Sequence, residues 1–247
     1  MAIDRDEQAL AMARHRLAEC SPVVTYRHGN FHQLPDLLRD GSIETVDGLL
    51  VDLGVSSLQL EEPARGFSFL QAGPLDMRMD VHEGPTAASL VARLSAVDLE
   101  YLFRTYGQER WARRIAKRIV EARAQAPIRT TTDLAHLIVE AVPPAARHGR
   151  LHPATRTFQA LRIAVNKELE ALQALLDVLP TILSAGGRAA FIAFHSLEDR
   201  AVKRAFQESA RSGLFRLLTK KPIRPSEQEV ADNPRSRSAK LRVAERL

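Results

Sequence analysis

The chain has 247 residues, 45% of them hydrophobic and 26% charged, and 35 Lys and Arg against 30 Asp and Glu give a net charge of +5. That is enough apolar material for a real core in one large domain, or in a domain carrying an insertion. No apolar run approaches the roughly 18 residues of a membrane span, and a single cysteine, Cys20, excludes an internal disulfide framework and a multi-cysteine metal site. A reducing, cytoplasmic setting fits, and no signal peptide precedes the first helix. The basic excess is dominated by arginine, which grips phosphates and stacks on bases, so nucleic acid is the leading partner class, ahead of a membrane surface.

Taken in order, Ala2-Ile3-Asp4 reads as the end of a strand, and a helix follows at once. Asp6 is its expected N-cap, Glu7 suits the positive end of its dipole, and it runs to about Cys20. The chain thus starts in mid-sheet, from which we expect that an upstream βα unit is missing. Ser21-Pro22 breaks the helix, residues 23–26 form a short strand, and residues 31–39 form a short helix. The apolar run 46–51 predicts a fully buried strand, delivering Asp52 at its carboxyl end. Strand, helix, strand, helix, strand at this spacing predicts a parallel, doubly wound sheet, which takes its ligands outside the carboxyl ends of its strands.

Residues 53–80 hold glycine, proline and mixed charge without a clean period, and read as a long loop of the kind that carries function. From 86 to 146 the pattern is helical throughout, with candidates at 87–94, 96–106, 108–124 and 132–141 and caps at Ser95 and Thr131. Trp111, Ile115 and Ile119 form a packing stripe, flanked by Arg110, Arg113, Arg114, Lys117, Arg118 and Arg123 as a solvated or RNA-facing surface. One long helix over 154–179 returns to the sheet. A buried strand at 189–194 follows and ends at His195, and a helix then runs to about Ser212. Residues 214–218 and 239–245 are the last strand candidates, around a proline-rich, charged loop at 220–234. The expected domains are residues 1–80 with 151–247 as the α/β part, and 81–150 as an inserted, all-helical, substrate-binding subdomain.

Few side chains stand out as chemistry. Asp4, at a strand end, either bonds ribose hydroxyls or caps the next helix. Asp52 ends a central strand, where an acid orients an amine and accepts its hydrogen bond, or else holds loop amides. His195 has the matching place on the following strand, as a proton relay or a structural histidine. Phe31 and Gln59 mean little alone; beside an adenine, one lines the ring face and the other bonds a polar edge. Arg156, Arg162 and Asn166 lie on the return helix, and Arg235, Arg237, Lys240 and Arg242 crowd a serine–arginine segment. They are candidates for phosphate contact, against the reading of a solvated surface. There is no zinc spacing, Walker loop, nucleophile elbow or GxGxxG, and the last absence speaks against a nicotinamide dehydrogenase.

Several stretches together resemble one family: Ala2-Ile3-Asp4-Arg5-Asp6, Leu50-Val51-Asp52-Leu53-Gly54-Val55-Ser56-Ser57, Arg65-Gly66-Phe67-Ser68-Phe69, Gly73-Pro74-Leu75-Asp76-Met77-Arg78-Met79-Asp80, His152-Pro153-Ala154-Thr155-Arg156-Thr157-Phe158-Gln159-Ala160, Phe194-His195-Ser196-Leu197-Glu198-Asp199-Arg200 and Asn233-Pro234-Arg235-Ser236-Arg237-Ser238. They are similar to the RsmH (MraW) family of bacterial 16S rRNA cytosine-N4 methyltransferases, over essentially the whole chain. The resemblance implies an α/β, Rossmann-like sheet dependent on S-adenosyl-L-methionine (SAM), with an inserted helical subdomain. It implies a cytidine in the decoding region of 16S rRNA, within the small ribosomal subunit, as substrate. SAM contacts would fall on Asp4, Phe31, Asp52 and Gln59, and Asp52 and His195 become the catalytic candidates. The family also carries a glycine-rich loop ending in Gly-Gly-His ahead of the segment that matches residues 2–6, and nothing here corresponds to it. We therefore expect an open wall in the cofactor site and weak SAM binding, with an RNA-binding or ribosome-assembly protein without full catalysis as the alternative. Oligomeric state is left open, a homodimer included.

Overall fold

The computed structural model describes residues 1–19, 24–149 and 151–247. The expected helix end at Cys20, the Ser21-Pro22 break and the strand start at Val23 lie outside them. The chain divides into two compact units, Met1–Gly54 with Leu169–Leu247, and Val55–Glu168 between them. The second unit is wider than the 81–150 read from the sequence, because residues 66–80 fold into its core rather than running over a surface.

The first unit starts with β1 (Ala2–Asp4) and α1 (Glu7–Arg16), whose N-cap is Asp6, with its carboxylate accepting from the Gln8 amide at 3.0 Å. β2 (Tyr26–His28) pairs with β1 in parallel. A 3₁₀ turn (Phe31–Gln33), α2 (Leu34–Asp40) and β3 (Val46–Asp52) follow. β3 departs from expectation: Val51 is buried, but Leu50 is 68% exposed. Successive strand residues face opposite sides. Leu49, Val51 and Leu53 therefore turn to the core, while Gly48, Leu50 and Asp52 share the other face. A continuous apolar run carries no mark of which face will be covered.

The second unit comprises α3 (Ser57–Glu61), α4 (Ala87–Arg93), α5 (Ala96–Gly107), α6 (Ala112–Gln125), α7 (Thr131–Ala141) and α8 (Thr155–Asn166). Ser95 caps α5 as expected, whereas α7 is capped by Thr130, one residue before the predicted Thr131. Ala112, Ile115, Ala116 and Ile119 of α6 are buried at the spacing of one helix face. The loop before α4 buries Leu75, Met77 and Met79. Two polar side chains satisfy the backbone groups that go in with them. Asn166 donates to the Met77 carbonyl at 2.7 Å and accepts from the Met79 amide at 2.8 Å. Arg65, itself buried, donates to the carbonyls of Arg78 and Met79 at 3.2 and 2.8 Å.

The single return helix expected over 154–179 is two helices. α8 ends at Lys167, whose φ of +49° is left-handed, and α9 (Glu168–Ile182) starts afresh. The first unit then resumes with β4 (Leu183–Ala193), α10 (Ser196–Arg211), β5 (Phe215–Leu217), α11 (Glu227–Asp232) and β6 (Lys240–Arg246). Among the described residues the strands form two sheets, β1-β2 and β3-β4-β6-β5. β3 and β4 are parallel, but β6 runs antiparallel to both β4 and β5, so the expected all-parallel sheet is a mixed one. Among the described residues β3 and β5 are the edge strands of this sheet. The core of this unit joins Leu34, Leu38, Val51, Phe191, Val202 and Phe206 with the apolar face of α9. Among the described residues, no helix is long and apolar enough to cross a membrane.

Asn166→Ala leaves a buried carbonyl and a buried amide without their partner, each worth about 1–3 kcal/mol. The variant is expected to unfold in urea with a stability about 2–4 kcal/mol below the parent. A loss under about 0.5 kcal/mol, the level of an indifferent surface change, contradicts this account of the loop.

Candidate active site

Two strands of the first unit, β1 and β3, end on an acid at their carboxyl ends. Asp4 closes β1; its Oδ1 accepts from the Asp6 amide at 2.8 Å, and the backbone turns away through a Gly29 amide bond to the Asp4 carbonyl. The residue is half-buried, and desolvation pushes its pKa up against the lowering effect of the Asp6 amide. Phe31 starts the 3₁₀ turn after β2. Asn30 caps that turn, and its own amide donates to Gln33 Oε1 at 2.8 Å. One side of Phe31 packs on the core of the first unit.

Asp52 closes β3 on the same face as Leu50. Its register partner on β4 is Ile192, and the Leu53 amide continues the pairing to the Ile192 carbonyl at 3.0 Å. The carboxylate is solvent-accessible, and it has no hydrogen-bond or ion-pair partner among the described residues. Its pKa is nonetheless raised, first by desolvation at the strand ends and then by the negative charge of Glu198. The exposure of its tip limits the size of that effect.

His195 follows the end of β4 and is the N-cap of α10, and its environment differs from the one expected. Nδ1 accepts from the Glu198 amide at 3.4 Å, while Nε2 lies 3.2 Å from Glu198 Oε1. Glu198 in turn accepts the amides of Phe194 and His195 through Oε2, at 2.9 and 3.2 Å. Nδ1 is therefore taken up by a reciprocal cap, while Nε2 is buried beside Glu198 without a hydrogen-bond partner among the described residues. Glu198, only 2% exposed, is the acid this site depends on, and it does not stand among the candidates read from the residues. The signal was present: His-x-x-Glu at a strand end is the spacing of a capping box.

Gln59 belongs to the second unit. It is buried at the third position of α3, where Oε1 accepts from the Ser56 amide at 3.1 Å and its own amide donates to Ser56 Oγ at 3.2 Å. Its side-chain carbonyl is thus committed to a helix cap.

The expected phosphate-contacting set divides. Arg162 makes a two-bond ion pair with Glu168 at 2.8 and 2.7 Å, and Asn166 is the buried loop anchor described above. Arg242 is buried against Asp199 at 2.7 Å, and Lys240 reaches the other oxygen of Asp199 at 3.1 Å. Burial alone would raise the Asp199 pKa, but the bonds from Arg242 and Lys240 outweigh it and lower the value. These four residues serve internal contacts, which a basic sequence run does not reveal. Arg156, Arg235 and Arg237 are exposed.

Comparison with known proteins adds a relationship. The sequence model described as the MraW methylase family matches residues 1–247. A protein of Sorangium cellulosum named ribosomal RNA small subunit methyltransferase H is 53% identical over 247 residues, covering 100% of this chain and 77% of its own. Its namesake in Nostoc punctiforme is 51% identical over 248 residues, with 100% and 79% covered. A third, from Geobacter sp. strain M21, is 48% identical over 262 residues, with 100% and 84% covered.

The electrostatics at Asp52 give a testable sign. Its folded pKa lies above the ordinary 3.8, so the folded chain holds the proton more tightly than the unfolded chain does. Ionised Asp52 is then a cost to folding that is absent below the unfolded pKa and complete above the folded one. Asp52→Asn is expected to raise Tm at pH 7, with the gain shrinking to nothing as pH falls below about 3.8. A variant whose Tm at pH 7 is lower than the parent's contradicts the assignment.

Proposed function

The chain belongs to the MraW methylase family, and from that premise we propose that it transfers a methyl group from SAM to the N4 amine of a cytidine. The cytidine is one in the decoding region of 16S rRNA, within the small ribosomal subunit, and a cytoplasmic setting goes with that substrate. The observation that carries the reading is the unpartnered carboxylate of Asp52 at the carboxyl end of β3, beside the buried Glu198 cap. SAM, when bound, supplies an electrophilic methyl on a cationic sulfur. The donor set of the first unit fits such a group. Asp4 and Asp52 are acceptors at parallel strand ends, in surroundings that disfavour their own charge and so favour hydroxyl donors or a cation. Asp4 takes the ribose hydroxyls, Phe31 lines the adenine face, and Asp52 faces the reacting end.

The cytosine amine is a poor nucleophile because its lone pair is delocalised into the ring. Asp52 accepts a hydrogen bond from N4 and fixes its direction of attack, a positioning effect that can supply several kcal/mol, up to roughly 7–11 in ideal cases. The amine must shed a proton once it gains its fourth bond, and the raised basicity of Asp52 suits that carboxylate to receive it. His195 and Glu198 hold the end of β4 and the start of α10 at the level of Asp52, so His195 acts as a positioning residue. The base has to leave its stack to reach such a site. Arg235 and Arg237 of the first unit, and Arg156 of the second, are exposed cations whose chemistry suits contact with RNA backbone.

Methylation of small subunits, followed by nucleoside mass spectrometry, is expected to yield N4-methylcytidine. Asp52→Asn is expected to lower kcat by about 10²- to 10⁴-fold, the usual range for a general base. His195→Asn, which keeps a capping acceptor, is expected to stay near the parent rate, and His195→Ala to lose stability. Near-normal turnover by Asp52→Asn, or product on another atom, contradicts the proposal.

A further inference from the structure

We propose that the outward face at the start of α6, with Trp111 and the neighbouring Arg156, is a surface of the second unit that holds single-stranded RNA of the substrate. The inference rests on reading the substrate as RNA. It assigns a place for the grip that nothing about the strand-end acids supplies.

Arg113, Arg114 and Lys117 lie on one face of α6, opposite the buried Ala112, Ile115, Ala116 and Ile119, and they are exposed together with Arg110 in the turn before the helix. Elsewhere in this unit several cations are paired, although Arg93, Arg129 and Lys167 are also exposed without an acidic partner among the described residues. Arg78 pairs with Asp76, Arg104 with Glu100, Arg118 with Glu140 and Arg162 with Glu168. Lys117 reaches Glu121 at 3.6 Å. Among the described residues, Arg110, Arg113 and Arg114 have no acidic partner. What sets the three arginines apart is that they cluster on either side of Trp111.

The geometry is also pre-set. The half-exposed ring of Trp111 carries two guanidiniums, Arg110 at 5.1 Å and Arg114 at 5.8 Å from its centroid. Stacking fixes the planes of both side chains and lowers the entropy lost when they take up a phosphate. The nearby acid, Glu109, is buried, and its carboxylate is spent on the Trp111 amide at 2.8 Å, which anchors the start of the helix. Gly107 lets α5 approach α8 so closely that a Cβ there would stand 2.5 Å from the Arg156 carbonyl oxygen. The approach brings the Arg156 guanidinium onto the Gln108 carbonyl at 3.1 Å, two residues from Arg110. Phosphates suit the guanidiniums, and an unstacked base suits the aromatic–arginine layer.

The test is titration of the full chain with a fluorescent single-stranded fragment of small-subunit rRNA, repeated across salt concentrations. The triple change Arg110→Ala, Arg113→Ala, Arg114→Ala is expected to weaken binding at least tenfold. It is also expected to reduce the magnitude of the log–log salt slope by about two, at roughly 0.7 for each phosphate of a single strand that is no longer neutralised. The corresponding triple change to Lys should keep the slope, and circular dichroism and Tm of both variants should match the parent. Parent-like affinity and slope in the Ala variant overturn the inference while leaving the substrate reading intact. No salt-dependent RNA binding by the parent removes the substrate reading, and this inference with it.

Discussion

The parallel pairing of β3 with β4 is the interaction on which the first unit depends. It sets Asp52 level with Ile192, three residues short of the His195 cap, so the acid end of one strand meets the helix start that follows the other. The first turn of α10 then ties the sheet together. Glu198 receives the amides at the end of β4, and Asp199 receives Lys240 and Arg242 from β6. Burying two carboxylates in one turn would be costly without those donors. With them, the same turn fixes the strand ends and gives Asp52 a negative neighbour that raises its basicity.

The second unit uses polar side chains in the opposite way, to bring an irregular segment indoors. Asn166 and Arg65 replace the hydrogen bonds that residues 77–79 would otherwise make with water. Their methionines can then join the helical core. The result separates two populations of arginine. Some are interior fixtures whose loss would destabilise the chain, and others, at the start of α6, stand outward without acids among the described residues. A net charge of +5 says nothing about that division.

Much of this was legible in the residues. Helical spacing located α5, α6 and α7 within a few positions, Asp6 and Ser95 were readable as caps, and the strand-end places of Asp4, Asp52 and His195 followed from apolar runs meeting polar residues. What escaped depended on partners distant in sequence. Arg162 and Asn166 on α8, and Arg242 on β6, looked like surface cations or amides until Glu168, residues 77–79 and Asp199 met them. Local chemistry hid in plain view at His195, where a histidine at a strand end suggested a base and the glutamate three positions on made it a cap. The open face of β3 was illegible for another reason: Leu50 and Val51 are alike in type, and only the surroundings decide which is covered.

The central claim is that the strand-end acids of the first unit form the cofactor cradle. Amide hydrogen exchange of the full chain, with and without saturating SAM, tests it most directly. The account predicts slowed exchange at residues 4–6, 29–31 and 52–54, with unchanged rates in α5, α6 and α7. Slowing confined to those helices, or no change anywhere at saturation, would contradict it.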